Sequence, residues 1–423
     1  MIKRWMLIGL LALIMGVHIS SAQDEEISPK LAEQMATLET ITQDIRDLNA
    51  MREIDHQFPT RAETIDYLKE TYSREFPPEE FDRLERFYIA LGLLTPDIDL
   101  QDVYLNLLGS QIAGFYDSDT EVMNVLPIVG DETGESLSIT EQVIYVHEFT
   151  HALQDQHFDL NALLDAPEAL ENPDQSLATL ALVEGDATAT MTLYLQRVAE
   201  QNPLAALAML VEGLQGGTLF LPEGIPPILL NELLFPYDAG MNFVIEISGE
   251  DGWNTVNAAF ENPPTTSEQI LHPEKYLAGE AAQNVELNDL SDTLGDGWVE
   301  DWNTTLGEFY LREVLDTELS SSEAADGAAG WGGDRFRVYH NTETGEIAWA
   351  LRLTWETFDD SNEFNQLYAD YGDNRFDSAA NEAGCWENNM GALCLTVTDA
   401  TPESLIVFAP TVEYALALSD AAG

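Results

Sequence analysis

Apolar residues recur at helical spacing among charges over residues 29–57 and 60–73, which predicts helices there. Pro77-Pro78-Glu79-Glu80 opens another helix that runs to about Leu91, and Gly92 is placed to end it. Residues 111–126 read as two short strands joined by an Asp/Ser turn. Long helices are expected over 138–157 and 173–199. Residues 203–280 read as mostly helical, broken by Pro222, Pro226, Pro227, Pro236, Pro263 and Pro264. Further on the period changes. Ile347, Trp349, Leu351, Leu353 and Trp355 alternate with Ala348, Ala350, Arg352 and Thr354, as in a half-buried strand. Phe336 to Tyr339, Leu393 to Val397 and Leu405 to Phe408 are further strands, with helices over 306–318, 360–371 and 411–419 and a Gly/Ala-rich loop from Ala324 to Gly333. The fold class is therefore α+β: a mostly helical core with a small antiparallel sheet, followed by a C-terminal α+β module.

The N-terminus reads as an address. Lys3 and Arg4 precede an apolar run from Trp5 to Val17, and Ser20-Ser21-Ala22 offers a cleavage site, so residues 1–22 are expected to be a signal peptide and the mature chain secreted. The alternative is an uncleaved anchor helix, for which the run is short. With the signal removed, no stable membrane anchor is expected. The remaining divisions are an N-terminal helical region (23–94), a core (95–285) and a C-terminal module (300–423), the break lying where Asp, Gly, Asn and Thr accumulate. Export permits a disulfide between Cys385 and Cys394 across the turn-prone Asn389 to Gly391; a redox or metal pair is the alternative, and the spacing is not C-x-x-C.

The chain carries 76 acidic against 17 basic residues, a formal charge of −59 over 423 residues, while 45% of it is apolar. The apolar content excludes a disordered acidic tail, and the charge excludes nucleic acid and anionic membranes as partners. The acidity fits either a saline habitat or ordinary bias in exported proteins. No twelve-residue calcium loop is present.

The chemistry sits in the middle. His147-Glu148-Phe149-Thr150-His151 is an H-E-x-x-H pattern. Residues four apart share a helix face, so both imidazoles can grip one metal ion, and Glu148 can reach a water on that metal without binding it. Ser138-Ile139-Thr140-Glu141 is a capping box that starts the helix. A catalytic zinc takes a third protein ligand. Glu184, in an Ala/Leu/Thr-rich helix where an unpaired carboxylate is costly, is the best candidate, and Gly185 leaves room for close helix packing. Glu184 as a solvated helix residue is the bland alternative.

His147-Glu148-x-x-His151 followed by Glu184-Gly185-Asp186-Ala187 resembles the gluzincin (thermolysin-like) zinc metallopeptidases. The block Gly114 to Asp117 and the stretch Ser267 to Tyr276 resemble exported bacterial members of that kind whose substrates are unassigned. The resemblance implies a zincin-like core, Zn2+ on His147, His151 and Glu184, Glu148 as general base, and a peptide or protein substrate aligned by an edge strand at Val122 to Leu126. For the oxyanion donor, His272, Tyr276 and Tyr237 are the candidates in that order, each with a structural alternative. Thr188 stands where an acidic residue commonly orients a ligand imidazole. Asp186 is about 200° round the helix from Glu184, and Asp155, on the face of His151, is the other carboxylate available. The reading is an exported zinc-dependent endopeptidase, set against a non-catalytic zinc-containing extracellular binding or adhesion protein.

Overall fold

The computed structural model describes residues 27–111, 114–127, 134–166, 172–202, 224–249, 251–398 and 400–422. The expected signal peptide and the helical expectation for 203–223 fall outside these. Helix α1 (Pro29–Arg46) is capped by Ser28, whose Oγ accepts from the Leu31 N–H at 3.0 Å. It stops at Asp47, in the left-handed region (φ 55°), well short of the expected residue 57. Beyond it, strand β1 (Asp55–Gln57) pairs with a strand far along the chain, a contact that local periodicity cannot report.

Helices α2 (Arg61–Glu75), α3 (Pro78–Leu91) and α4 (Leu100–Gln111) follow. Gly92 caps α3 at φ 76° and its N–H returns to Ile89 and Tyr88, as its position in the sequence predicts. Strands β2 (Gly114–Asp117) and β3 (Val122–Val125) then form the small sheet, in the order β1-β3-β2. The expected substrate-aligning edge, Val122 to Leu126, is thus corrected. β3 lies in the middle, covered on one side by β1 in parallel pairing, and among the described residues β2 is the edge strand on its other side.

Helix α5 (Ile139–Phe158) starts with both halves of the Ser138/Glu141 capping box formed. After α6 (Leu160–Leu164) comes the 29-residue α7 (Pro173–Gln201), buried along most of its length from Pro173 to Thr190. Helix α8 (Pro227–Ser248) crosses α7 with Gly185 and Gly240 in contact: a Cβ on Gly185 would lie 2.2 Å from the Gly240 carbonyl carbon. The room at Gly185 is used. Pro236 lies inside α8 rather than ending it. Helices α9 (Trp253–Glu261), α10 (Ser267–Leu271), α11 (Pro273–Ala278) and α12 (Ser291–Leu294) complete this part.

The C-terminal part is a six-stranded antiparallel sheet, β4 (Trp298–Thr304), β5 (Trp331–Asn341), β6 (Ile347–Trp355), β7 (Cys385–Asn388), β8 (Gly391–Val397) and β9 (Glu403–Ala409), in the order β4-β5-β6-β9-β8-β7. Helices α13 (Gly307–Asp316), α14 (Ser321–Ala328), α15 (Phe358–Phe376) and α16 (Val412–Ala422) accompany it. Helix α14 and the start of β5 replace the expected loop at 324–333: Ser320 and Glu323 form a second capping box that starts a helix in the Ala-rich stretch. Cys385 and Cys394 are direct cross-strand partners and are joined by a disulfide.

Helix α3 fastens the two parts. Phe87 packs on Trp302 and Phe336 with ring centroids 5.3 and 5.9 Å away, and Arg86 makes a two-pronged ion pair with Asp301 at 2.7 and 2.9 Å. One contiguous hydrophobic cluster runs from Leu68 to Ile406. Among the described residues no helix is long and apolar enough to cross a membrane.

Candidate metal centre

Residues four apart on α5 bring His147 and His151 to one face, and the crossing of α5 with α7 sets Glu184 against them. His147 Nε2 is 3.1 Å from Glu184 Oε2, His151 Nε2 is 3.5 Å from the same oxygen, and the two Nε2 atoms are 3.1 Å apart. Zinc bonds of about 2.0–2.2 Å at tetrahedral angles separate neighbouring donors by about 3.3 Å, so these spacings match the edges of a zinc tetrahedron. All three side chains are buried. Two imidazole nitrogens and a carboxylate facing one point repel unless a cation or proton sits between them, and Glu184 Oε1 is buried without a hydrogen-bond partner. The residues fit a metal.

The electrostatics agree. Burial alone would push the Glu184 carboxyl up, but the His151 and His147 imidazoles outweigh it and hold it down at about 2. Burial pulls the His151 imidazole down, and Glu184 more than reverses this, raising it to about 9. Without metal, a proton does the work of the cation.

Glu148 lies beside this cluster and is not part of it. Its Oε2 accepts from the backbone N–H of Tyr116 on β2 at 3.0 Å, on the side of that strand away from β3. Burial raises its pKa, opposed by the neighbouring His147 and His151. Tyr237, on α8, stacks on His147 with centroids 5.9 Å apart, and its buried phenol sits among the carboxylates of Glu184 and Glu148. The close contact at Gly185 and Gly240 is what lets α8 bring that ring so near.

The other expected site residues are engaged elsewhere. His272 lies at the α10–α11 junction, its Nε2 3.0 Å from Glu308 Oε2. Tyr276 donates its hydroxyl to the Asn262 carbonyl at 2.8 Å. Asp155 accepts from the Tyr116 hydroxyl at 2.8 Å and does not hold His151; the partner of His151 Nδ1 is Gln154, at 2.8 Å. Gln154 stands three residues after His151, and that offset was the one signal in the sequence that could have pointed to it.

A second carboxylate group, Glu268, Glu280 and Glu356, also converges. Lys275 lies among them, 2.7 Å from Glu268 and 3.4 Å from Glu280 and paired closely with Glu356, so its ammonium already fills the cation position. Beyond the end of α5, a polar cavity of about 610 Å³ is lined by Arg52, Ser118, Glu121, Asp155 and Asn161 among others.

Residues 296–419, which hold the six-stranded sheet, match a family described as a domain of unknown function (DUF8575). No curated protein and no solved structure matches the chain.

Proposed function

We propose that His147, His151 and Glu184 form a zinc centre and that Glu148 makes it an endopeptidase. The observation that supports this is the division of labour among four buried side chains. Three converge at tetrahedral spacing, while the fourth, a carboxylate, is held just outside by a backbone N–H. Zinc bound there would supply a Lewis acid for water and for the scissile carbonyl. Glu148 takes the proton of the attacking water and returns it to the leaving amine; its raised pKa suits both halves of that task. Tyr237 is the donor we assign to the developing oxyanion, in place of His272 and Tyr276, because it alone of the three touches a member of the cluster. In this reading the protein is exported, residues 23–94 support the core at 95–285, and the module at 300–423 is an accessory to it.

One observation favours the second reading, a non-catalytic zinc-containing binding or adhesion protein. His147, Glu148, His151 and Glu184 are at most 8% exposed, as a purely structural metal site would be. Both readings share the metal-binding cluster. Metal content of the purified protein, measured beside cleavage of a peptide library with and without chelator, separates them. Chelator-sensitive cleavage that Glu148→Gln abolishes while zinc stays bound supports the peptidase. Stoichiometric zinc without turnover in the parent supports the binding protein. Glu184→Ala that binds zinc like the parent overturns the ligand set.

A further inference from the structure

Arg46, the last residue of α1, is wholly buried. Its Nε lies 2.6 Å from Asp186 Oδ1, its Nη2 donates to Asn257 Oδ1 at 2.7 Å, and its guanidinium stands 4.5 Å over the Trp253 ring. The other Asp186 oxygen accepts from Gln154 Nε2 at 2.9 Å. That same Nε2 donates to the Val183 carbonyl at 2.9 Å, and Gln154 Oε1 faces His151 Nδ1 at 2.8 Å. A chain of four buried side chains thus runs from the end of α1 to a metal-ligand histidine.

The direction of this chain is fixed. A backbone carbonyl only accepts, so the Gln154 group facing Val183 must be the amide NH2. The Gln154 oxygen is then turned to His151, whose Nδ1 must carry a proton, so that Nε2 is the nitrogen left to face a metal ion beside Glu184 and His147. Asp186 reinforces the orientation by accepting the second amide proton, and Arg46, as fully buried as Asp186, matches its charge. Four residues before the helix ends, Thr42 is also buried, so this face of α1 is packed rather than resting on the surface.

We infer that Arg46, Asp186 and Gln154 are positioning residues that set the tautomer of His151, and that α1 is a permanent part of the metal site rather than a segment removed on maturation. The inference rests on the metal-centre reading above but not on catalysis. Gln154→Leu keeps the volume and removes the acceptor; zinc affinity by chelator competition is expected to fall 10–100-fold, and the visible spectrum of the cobalt-substituted protein to change. Arg46→Met should lose affinity similarly, by leaving Asp186 buried beside no cation. The double variant Arg46→Met/Asp186→Asn should recover most of it, because the new amide oxygen still accepts from Gln154 without a charge to match. The intact mass of metal-loaded mature protein should include Arg46. Parental affinity and an unchanged cobalt spectrum in Gln154→Leu, failure of the double variant to recover when it folds, or a metal-loaded form beginning beyond Arg46 each overturn the inference. Absence of zinc binding in the parent instead overturns the metal-centre reading.

Discussion

Replacing Gly240 by alanine sets two effects of opposite sign against each other. Alanine is the better helix former by about 1 kcal/mol, so an isolated α8 would gain. In the folded protein the new Cβ would stand 2.1 Å from the Ala181 carbonyl oxygen and 2.9 Å from its carbon, on the backbone of α7, where no side chain can swing aside. Reaching ordinary contact requires α7 and α8 to part by more than about 1 Å, which forfeits at least a quarter to a half of the dispersion energy of the pairs across the crossing. Overpacking of this kind costs about 1–3 kcal/mol, and a rigid backbone neighbour puts Gly240→Ala at the upper end. The net expectation is a loss of about 2 kcal/mol, read as a lower midpoint in guanidinium unfolding followed by tryptophan fluorescence. Because Tyr237 lies on α8 one turn before Gly240, the proposed zinc centre should also bind its metal less tightly in the variant. A variant as stable as the parent, or more so, would mean that helix propensity wins and that the crossing is looser than the glycine contact implies.

Tyr237→Phe keeps the ring on His147 and removes the phenol; kcat of any peptidase activity should drop roughly 10²–10³-fold with zinc content unchanged, and a parental kcat would remove Tyr237 from the mechanism. Glu232 is buried between Tyr88 and Tyr310, at 2.6 and 2.5 Å, and burial raises its carboxyl from 4.5 to about 7. The folded state therefore holds this proton when the unfolded state has lost it: the contribution is full below pH 4.5 and is lost as pH rises through about 7, a fall of about 3 kcal/mol. Glu232→Gln should flatten the stability profile over that window, measured by denaturant unfolding at each pH; an unchanged slope assigns it to other groups. Reducing the Cys385–Cys394 disulfide should cost about 2–3 kcal/mol and leave metal content unchanged, while any thiol titrating in the denatured, unreduced protein contradicts the pairing.

The bounds of the strand at 347–355 were legible because large apolar residues alternate with smaller ones, but it is not half-buried as expected: Ala348 and Ala350, on the face opposite Trp349 and Leu351, are buried in a second hydrophobic cluster. The start of α5 was legible for a similar reason, since a capping box is a local device. Glu184 could be singled out by the cost of an isolated carboxylate in an apolar helix. What could not be read depends on partners distant in the chain. β1 has three residues and exists through its pairing with Val122 to Asn124. Tyr237 ranked behind His272 and Tyr276 because nothing local says that Gly185 and Gly240 let its helix approach. Arg46, 140 residues before Asp186, carried no sign in the sequence of being anything but a helix-ending cation.

The basic residues have a further consequence for how the protein meets other molecules. Arg46, Arg86, Lys275 and Arg337 are each paired with a carboxylate, in a chain with 17 bases to 76 acids. With so many of its scarce cations taken up in these pairs, the field reaching into solvent is that of the remaining acids. A positively charged peptide would be drawn in over distances set by the Debye length, with encounter rates raised roughly 10–10³-fold at low salt, and an acidic one turned away. Raising ionic strength should therefore slow association with basic ligands steeply and with neutral ones hardly at all, so that the salinity of the surroundings chooses among otherwise equivalent partners.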